Sequence, residues 1–440
     1  MTLLRSQQMV TVYCNEITSR VSFTFNLIFN RILGVEVSVI SDQQNFENVK
    51  GPKFVYGDNA DDGVLILKPF GLLSSEGINE QSLFVEEYEG TPCFFGVEVP
   101  SAMPFDPFSA SFYLVSRYEE YLPHKKDSKG RFEASQSVAF QNGFLRKPIV
   151  QIWALKIAKI IKSRFSEFNY FPPDFSFINT IDIDNAFAYK GKGLWRSLGG
   201  MAKDVVTFKA NEFFMRLSVL VFGADDPYDT YKMMGQLAKE SKVETICFLL
   251  QGNYGKYDKN LKHTNHHQIS TIKNLAEFSD IGIHPSFASN KNHKLLAAEK
   301  RRLEDIVQLS ITKSRQHYLI MSFPETYQHL IENGITDDYS MGYVGEPGFR
   351  AGISIPFPFY NLLDEKETAL MVHPFAFMDR GLKDYLNLSP LEAKEIINEV
   401  MLEVKALGGQ LCSVWHNESL NEKGEWYGWL AVYRYLVATS

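Results

Sequence analysis

The stretch TIDIDNAFAYKGKG, residues 180–193, places Asp182 and Asp184 two positions apart, behind an apolar run and ahead of a Gly/Lys loop. Carboxylates at the end of an apolar strand are costly to bury unless something partners them. Alone, such a pair also serves as a helix cap or turn device. Other polar residues fall at comparable places further along. His284 ends one apolar run, Arg315 and His317 lie in the next, and Asp337, Asp338 and Ser340 mark a fifth. His373 lies in a sixth and His416 ends a seventh. Two carboxylates and a histidine from neighbouring strands can hold a divalent metal and a water, one carboxylate acting as base. A histidine on the far side can protonate a leaving amine. An arginine beside the base keeps it charged and aimed. Such a set is suited to hydrolysing an amide without a covalent intermediate.

Seven short apolar runs must position these residues: FSFINTIDID (175–184), ETICFLLQG (244–252), SDIGIHPSF (279–287), RQHYLI (315–320), DDYSMGYV (337–344), TALMVHPFAF (368–377) and QLCSVWHNES (410–419). AAEKRRLEDIVQLSI, PETYQHLIENG and SPLEAKEIINEVMLEVKALGG read as helices between them; the last opens on Ser389-Pro390 and closes on Gly408-Gly409. Strands alternating with helices imply a parallel sheet. Seven of them suit a barrel better than an open sheet, and in a barrel the chemistry sits at the strand C-terminal ends. The preceding part reads as a smaller mixed α/β unit. MVTVYCNE, KFVYGD, VLILKPFGLL and CFFGVEV are its strands, and SRVSFTFNLIFNRIL and PIVQIWALKIAKIIKSRF have helical spacing. A third helix, FSASFYLVSRYEEY, is entered at Asp106-Pro107. FNYFPPDF makes a natural linker, which divides the chain into residues 1–168 and 169–440.

The 440 residues carry 45 basic and 52 acidic side chains, net −7, with no basic block, so nucleic acid is not an expected partner. Cys14, Cys93, Cys247 and Cys412 lie far apart, which excludes a thiolate zinc knot and argues against a disulfide framework. No signal peptide and no membrane span is read, giving the expectation of a reduced, cytoplasmic, soluble protein. His263, His266 and His267 in KHTNHHQ resemble a zinc cluster, but the polar setting at the opening of a helix reads as a solvated surface.

From about residue 175 to 440 the chain resembles the polysaccharide deacetylases (carbohydrate esterase family 4, the NodB-homology domain). TIDID matches the D-x-D form of that family's first motif, HPSFAS stands at its H-[ST]-x-x-H motif, RQHY at R-x-P-[YF], and VWHNE at its terminal L-x-H element. The resemblance implies a distorted (β/α)7 barrel that removes an N-acetyl group from an amino sugar in a polysaccharide or its precursor. By the same resemblance Asp182 is the base, Arg315 orients it and His416 is the general acid. Asp184 and His284 are metal ligands, for zinc, with cobalt or nickel as alternatives. Two positions depart from the pattern. Ala288 stands where the second histidine belongs, and His317 replaces the proline, where it either supplies the missing nitrogen or lines the pocket. A branch without a metal is the alternative that Ala288 leaves open. The first 165 residues look like an uncharacterised domain attached to some bacterial deacetylase-like proteins. Asp258, Tyr343, Arg350, His373 and Trp415 are candidate substrate contacts, the substrate being a small molecule or oligosaccharide. Two other readings remain: a carbohydrate binder that kept the fold without catalysis, and a glycosyltransferase using the DxD pair to chelate a metal.

Overall fold

The structure is a computed structural model that describes residues 8–59, 61 and 63–440. Four strands open it: β1 (Met9–Cys14), β2 (Glu36–Ile40), β3 (Lys53–Tyr56) and β4 (Ile66–Leu67). They pair in parallel in the order β2-β1-β3-β4. The crossover from β1 begins with the helix Ser19–Phe25, where the Thr18 side chain accepts from the Val21 N–H. Its winding then widens to π-type over Asn26–Ile32, with Leu33 N bonded to Ile28 O. VLILKPFGLL supplies only two strand residues, because Pro69 has no N–H to offer a ladder. CFFGVEV stops at Cys93, because Phe95 takes a φ of 67° and turns the chain. What remains is the small antiparallel pair β5 (Glu86–Tyr88) and β6 (Thr91–Cys93).

Asp106 caps the helix Pro107–Val115, its Oδ1 accepting from Phe108 N at 3.0 Å and Ser109 N at 3.1 Å. The helical spacing in the sequence continues through Tyr121, but the helix breaks at Arg117, whose φ is 56°. The buried Arg117 guanidinium binds Glu119, Glu120 and Tyr343, and this network sets the backbone there.

The second sheet has nine strands. They are β7 (Ser176–Ile183), β8 (Glu244–Leu250), β9 (Asp280–His284), β10 (Lys313–Ser314), β11 (Asp337–Asp338), β12 (Phe357–Asn361), β13 (Lys366–Val372), β14 (Phe377–Met378) and β15 (Gln410–His416). The order is β12-β13-β11-β10-β9-β8-β7-β15-β14, and only β12 with β13 is antiparallel. This corrects the expectation of a closed seven-stranded barrel: β12 and β14 are edges that do not pair with each other, so the sheet is open. β12 escaped the sequence because IPFPFYN (355–361) carries Pro356 just before the strand and Pro358 within it, which an edge strand tolerates. RQHYLI is not a strand; Tyr318 and Leu319 have φ of 61° and 53° and turn the segment over the sheet end.

Register brings the strand ends level. Asp182 of β7 pairs with His416 of β15, Leu250 of β8 with His284 of β9, and Ile283 with Ser314 of β10. The helix Pro390–Leu407 leads into β15 with Ser389 and Glu392 in a reciprocal capping box. One apolar core joins the two sheets, running from Val10 and Phe25 to Ile181 and Trp415. Polar contacts cross between them as well: Arg20 pairs with Glu365, and Gln151 donates to Gly408 O at 2.7 Å. Among the described residues no helix is long and apolar enough to cross a membrane.

Candidate active site

Asp182 is the seventh residue of an eight-residue strand whose neighbours are buried on both sides, so its carboxylate is delivered into the interior at 3% exposure. Arg315 meets it there. Its Nη1 donates to Asp182 Oδ1 at 3.0 Å and to Thr180 Oγ1 at 2.5 Å, and its Nε donates to Tyr339 O at 2.9 Å. Phe248 lies under the guanidinium, 4.7 Å from its carbon. A fully buried arginine held by three acceptors and a ring has one available orientation, and it fixes the carboxylate opposite.

Asp184, one residue beyond the strand, faces three imidazoles. Its Oδ1 is 3.2 Å from His284 Nε2, and its Oδ2 is 3.4 Å from His317 Nε2 and 3.9 Å from His416 Nε2. His284 Nδ1 is bonded to Arg315 O at 2.5 Å and His317 Nδ1 to Asp258 Oδ1 at 2.9 Å. Both contacts require Nδ1 to carry the proton, so in the neutral rings the Nε2 lone pairs point at Asp184. Asp184 Oδ1 is buried yet has no hydrogen-bond partner, although His284 lies close by. The ligand atoms of Asp184, His284 and His317 all lie within 4.8 Å of one another. Two imidazole nitrogens and a carboxylate oxygen converging on one point fit a divalent cation. Burial alone would raise Asp184, but His317, His284 and His416 hold its carboxyl well below the usual range. Burial likewise opposes a charge on His317, yet Asp184 and Asp258 outweigh it and lift the ring to about 9.

His416 stands on the other side of the cleft. Its Nδ1 contacts Asp379 Oδ1 at 2.8 Å and its backbone N–H donates to Asp379 Oδ2 at 2.8 Å. Burial disfavours the imidazolium, but Asp379, Asp184 and Asp182 together raise it to about 10. With Nδ1 engaged by Asp379, His416 turns its Nε2 toward the cleft.

The cleft holds about 320 Å³ and contains Asp182, Asp184, His284, His317 and His416 together. Five other candidates lie elsewhere. Asp258 sits behind His317, also accepting from Phe287 N, and so contacts a candidate ligand in place of the cleft. Tyr343 and Arg350 are buried in the Arg117–Glu120 network beside an adjoining cleft. His373 bonds Asp337 at 2.8 Å and stacks on Tyr339. Trp415 is wholly buried against Tyr433. Ser286 and Ser289, flanking Ala288, are spent on Glu299 and the Ser286 carbonyl. His266 and His267 open the helix His266–Leu275 and His263 lies in the turn before it; none of the three lines the cleft.

Other residues at the cleft had no signal in the sequence. Arg131 reaches in from the first part of the chain, paired with Asp127 and donating to Tyr318 O and Tyr385 Oη at 3.3 Å each. Arg380 lines the wall and pairs with Glu418. Asp379 was findable, because it follows an apolar pair just as Asp184 follows β7. Arg131 was not, since only packing brings its loop to the cleft.

A family model described as a family of unknown function (DUF7033) matches residues 10–166. No curated protein matches the sequence. Among similar solved structures is a putative polysaccharide deacetylase from Mycobacterium smegmatis, 15% identical, with a TM-score of 0.41 over 61% of this chain and 84% of that one. Another is a polysaccharide deacetylase from Bacillus cereus, 12% identical, at 0.27 over 60% and 87%. A third is a GH57 branching enzyme from Thermococcus kodakaraensis, 9% identical, at 0.35 over 60% and 67%.

Proposed function

We propose that the chain is a carbohydrate deacetylase that hydrolyses an N-acetyl group on an amino sugar. The observation that carries this reading is the convergence in one cleft of Asp182 with its fixed arginine, the Asp184–His284–His317 donor set, and the Asp379-backed His416. The reading divides the chain into residues 1–168 and 169–440, the second unit carrying the chemistry and the first lending Arg131 to the wall.

Asp184, His284 and His317 hold a divalent cation, with zinc, cobalt or nickel favoured by the imidazole-rich set. Such a cation, when bound, supplies Lewis-acid polarisation of the scissile carbonyl. His317 thus replaces the family's second histidine, absent at Ala288. Asp182, aimed by Arg315, takes a proton from the attacking water as its oxygen bonds to the carbonyl carbon. His416 gives its Nε2 proton to the amide nitrogen as the C–N bond breaks, and Asp379 on Nδ1 keeps that ring oriented. The products are acetate and the free amino sugar.

The test pairs elemental analysis of the purified protein with acetate release from N-acetylglucosamine oligomers. The wild type carries near-stoichiometric metal, and Asp184→Ala, His284→Ala and His317→Ala lose it. Asp182→Asn keeps the metal and releases no acetate. A wild type that stays metal-free after reconstitution, or an Asp182→Asn variant of full activity, overturns the assignment.

A further inference from the structure

The connection from β7 to β8 carries two helices, Leu194–Val206 and Ala210–Val221, folded as a hairpin. Leu194, Leu198, Met201 and Val205 recur at helical spacing on the first, and Phe213, Leu217 and Leu220 on the second. In a globular protein such stripes face a core. Here they do not: Leu194 is 70% exposed, Val205 60% and Leu198 48%, and beside them Trp195 is 86% exposed, Phe208 94% and Phe222 77%. Across both helices only Asp204 and Val219 are buried.

Polar contacts hold the hairpin instead of an apolar core. Arg216 Nε bonds Asp204 Oδ2 at 2.9 Å, and Tyr189 Oη donates to Glu212 at 2.7 Å. At its base Asp226 accepts from Ala188 N and Tyr189 N at 2.8 Å and Lys190 N at 2.9 Å. The apolar face is thus available on a firmly anchored element. Its charge is distinctive too. Residues 190–222 contain six Lys or Arg and two Asp or Glu, net +4, in a chain of net −7. Two copies meeting through this face would bring like charges together, which association disfavours. A surface that is apolar beneath and anionic on top satisfies both halves of the pattern.

We propose that this hairpin is an interfacial anchor that seats the protein on an anionic lipid surface. Its aromatic rings enter the headgroup–acyl boundary and its exposed Lys203 and Lys209 lie among the headgroups. At 13 and 12 residues neither helix spans a bilayer, so the element lies in the interface. The anchor adjoins the cleft. Arg196 Nη2 donates to Lys259 O at 3.0 Å, and Lys259 lines the cavity that contains Asp184.

Trp195 makes a direct test possible, because Trp153, Trp415, Trp426 and Trp429 are all at 2% exposure or less. The full chain is mixed with vesicles of phosphatidylcholine alone, or of equal parts phosphatidylcholine and phosphatidylglycerol. Sedimentation with the anionic vesicles only, weakened by salt and accompanied by a blue shift of tryptophan emission, is the expected result. Trp195→Ser combined with Phe208→Ser and Phe222→Ser lowers partitioning by more than about tenfold, since each ring loses its apolar transfer. These positions are already exposed, so the melting temperature is unchanged. Trp195→Phe keeps the binding and loses the emission shift. Folded wild type that ignores anionic vesicles overturns the proposal. So does a wild-type dimer that the triple variant converts to monomer without any lipid binding.

Discussion

Asp258→Asn separates two roles for one carboxylate. Its place after the second apolar run suggested a substrate contact, whereas the structure places Asp258 Oδ1 2.9 Å from His317 Nδ1, at 3% exposure and outside the cleft. Asparagine is nearly isosteric, and its oxygen still accepts from one of the neighbouring N–H groups, Phe287 N being 2.8 Å away and Ala288 N 3.3 Å. What changes is a charge-assisted bond to the ring becoming a neutral one, a loss of about 1–2 kcal/mol. That corresponds to a metal affinity lower by about tenfold, within the range of about 10–100-fold typical for partners of ligating histidines. Titration of the loaded protein with a competing chelator measures it directly. With metal in excess, KM for an N-acetylated oligomer stays near the wild-type value. An unchanged metal affinity together with a raised KM would refute the argument: Asp258 would then be a substrate contact, and His317 would not be a ligand.

Three further outcomes follow from the geometry. Asp379→Asn leaves the metal content unchanged but lowers kcat, and it moves the alkaline limb of the rate profile to lower pH, because the carboxylate that helps raise His416 to about 10 is gone; an unmoved limb would remove His416 from the acid role. Arg131→Ala raises KM by about tenfold with kcat little changed, as expected for loss of a charged contact on the wall, and Arg131→Lys recovers part of it; steady-state kinetics on the folded variant checks this. Glu120 is buried, which by itself raises its pKa, but Arg350 and Arg117 win and hold it at about 2 against an ordinary 4.5. A lowered folded-state pKa gives stability that is present above pH 4.5 and is lost as pH falls toward 2, about 3 kcal/mol in all. Denaturant titrations of Glu120→Gln against wild type should show a deficit of about 3–5 kcal/mol at neutral pH that narrows through that window.

Much of the chemistry was legible because its carriers share a local signature. Asp182, His284 and His416 each end an apolar run, and a buried polar side chain at a strand terminus is visible from hydrophobic patterning alone. The caps at Thr18, Asp106 and Ser389 are equally local, since each satisfies N–H groups two or three residues away. Arg131 and Arg380 belong to the same cleft without standing out, since a charged residue in a loop is ordinary until packing places it.

By itself the sequence determined where β7, β9 and β15 end and which donors stand at those ends. Hydrophobic period and chain order are enough for that. The tertiary structure decided the rest. It left the sheet open, because closure depends on whether β12 and β14 meet, and no local pattern encodes that contact. It turned His317 toward Asp184 through the positive φ of Tyr318 and the carboxylate of Asp258, putting a nitrogen where Ala288 offers none. It also withdrew Trp415, Arg350 and Tyr343 into the interior. Side-chain direction at a strand end follows from which neighbours pack behind it, and those neighbours come from more than a hundred residues away in the Asp182–Arg315 pair.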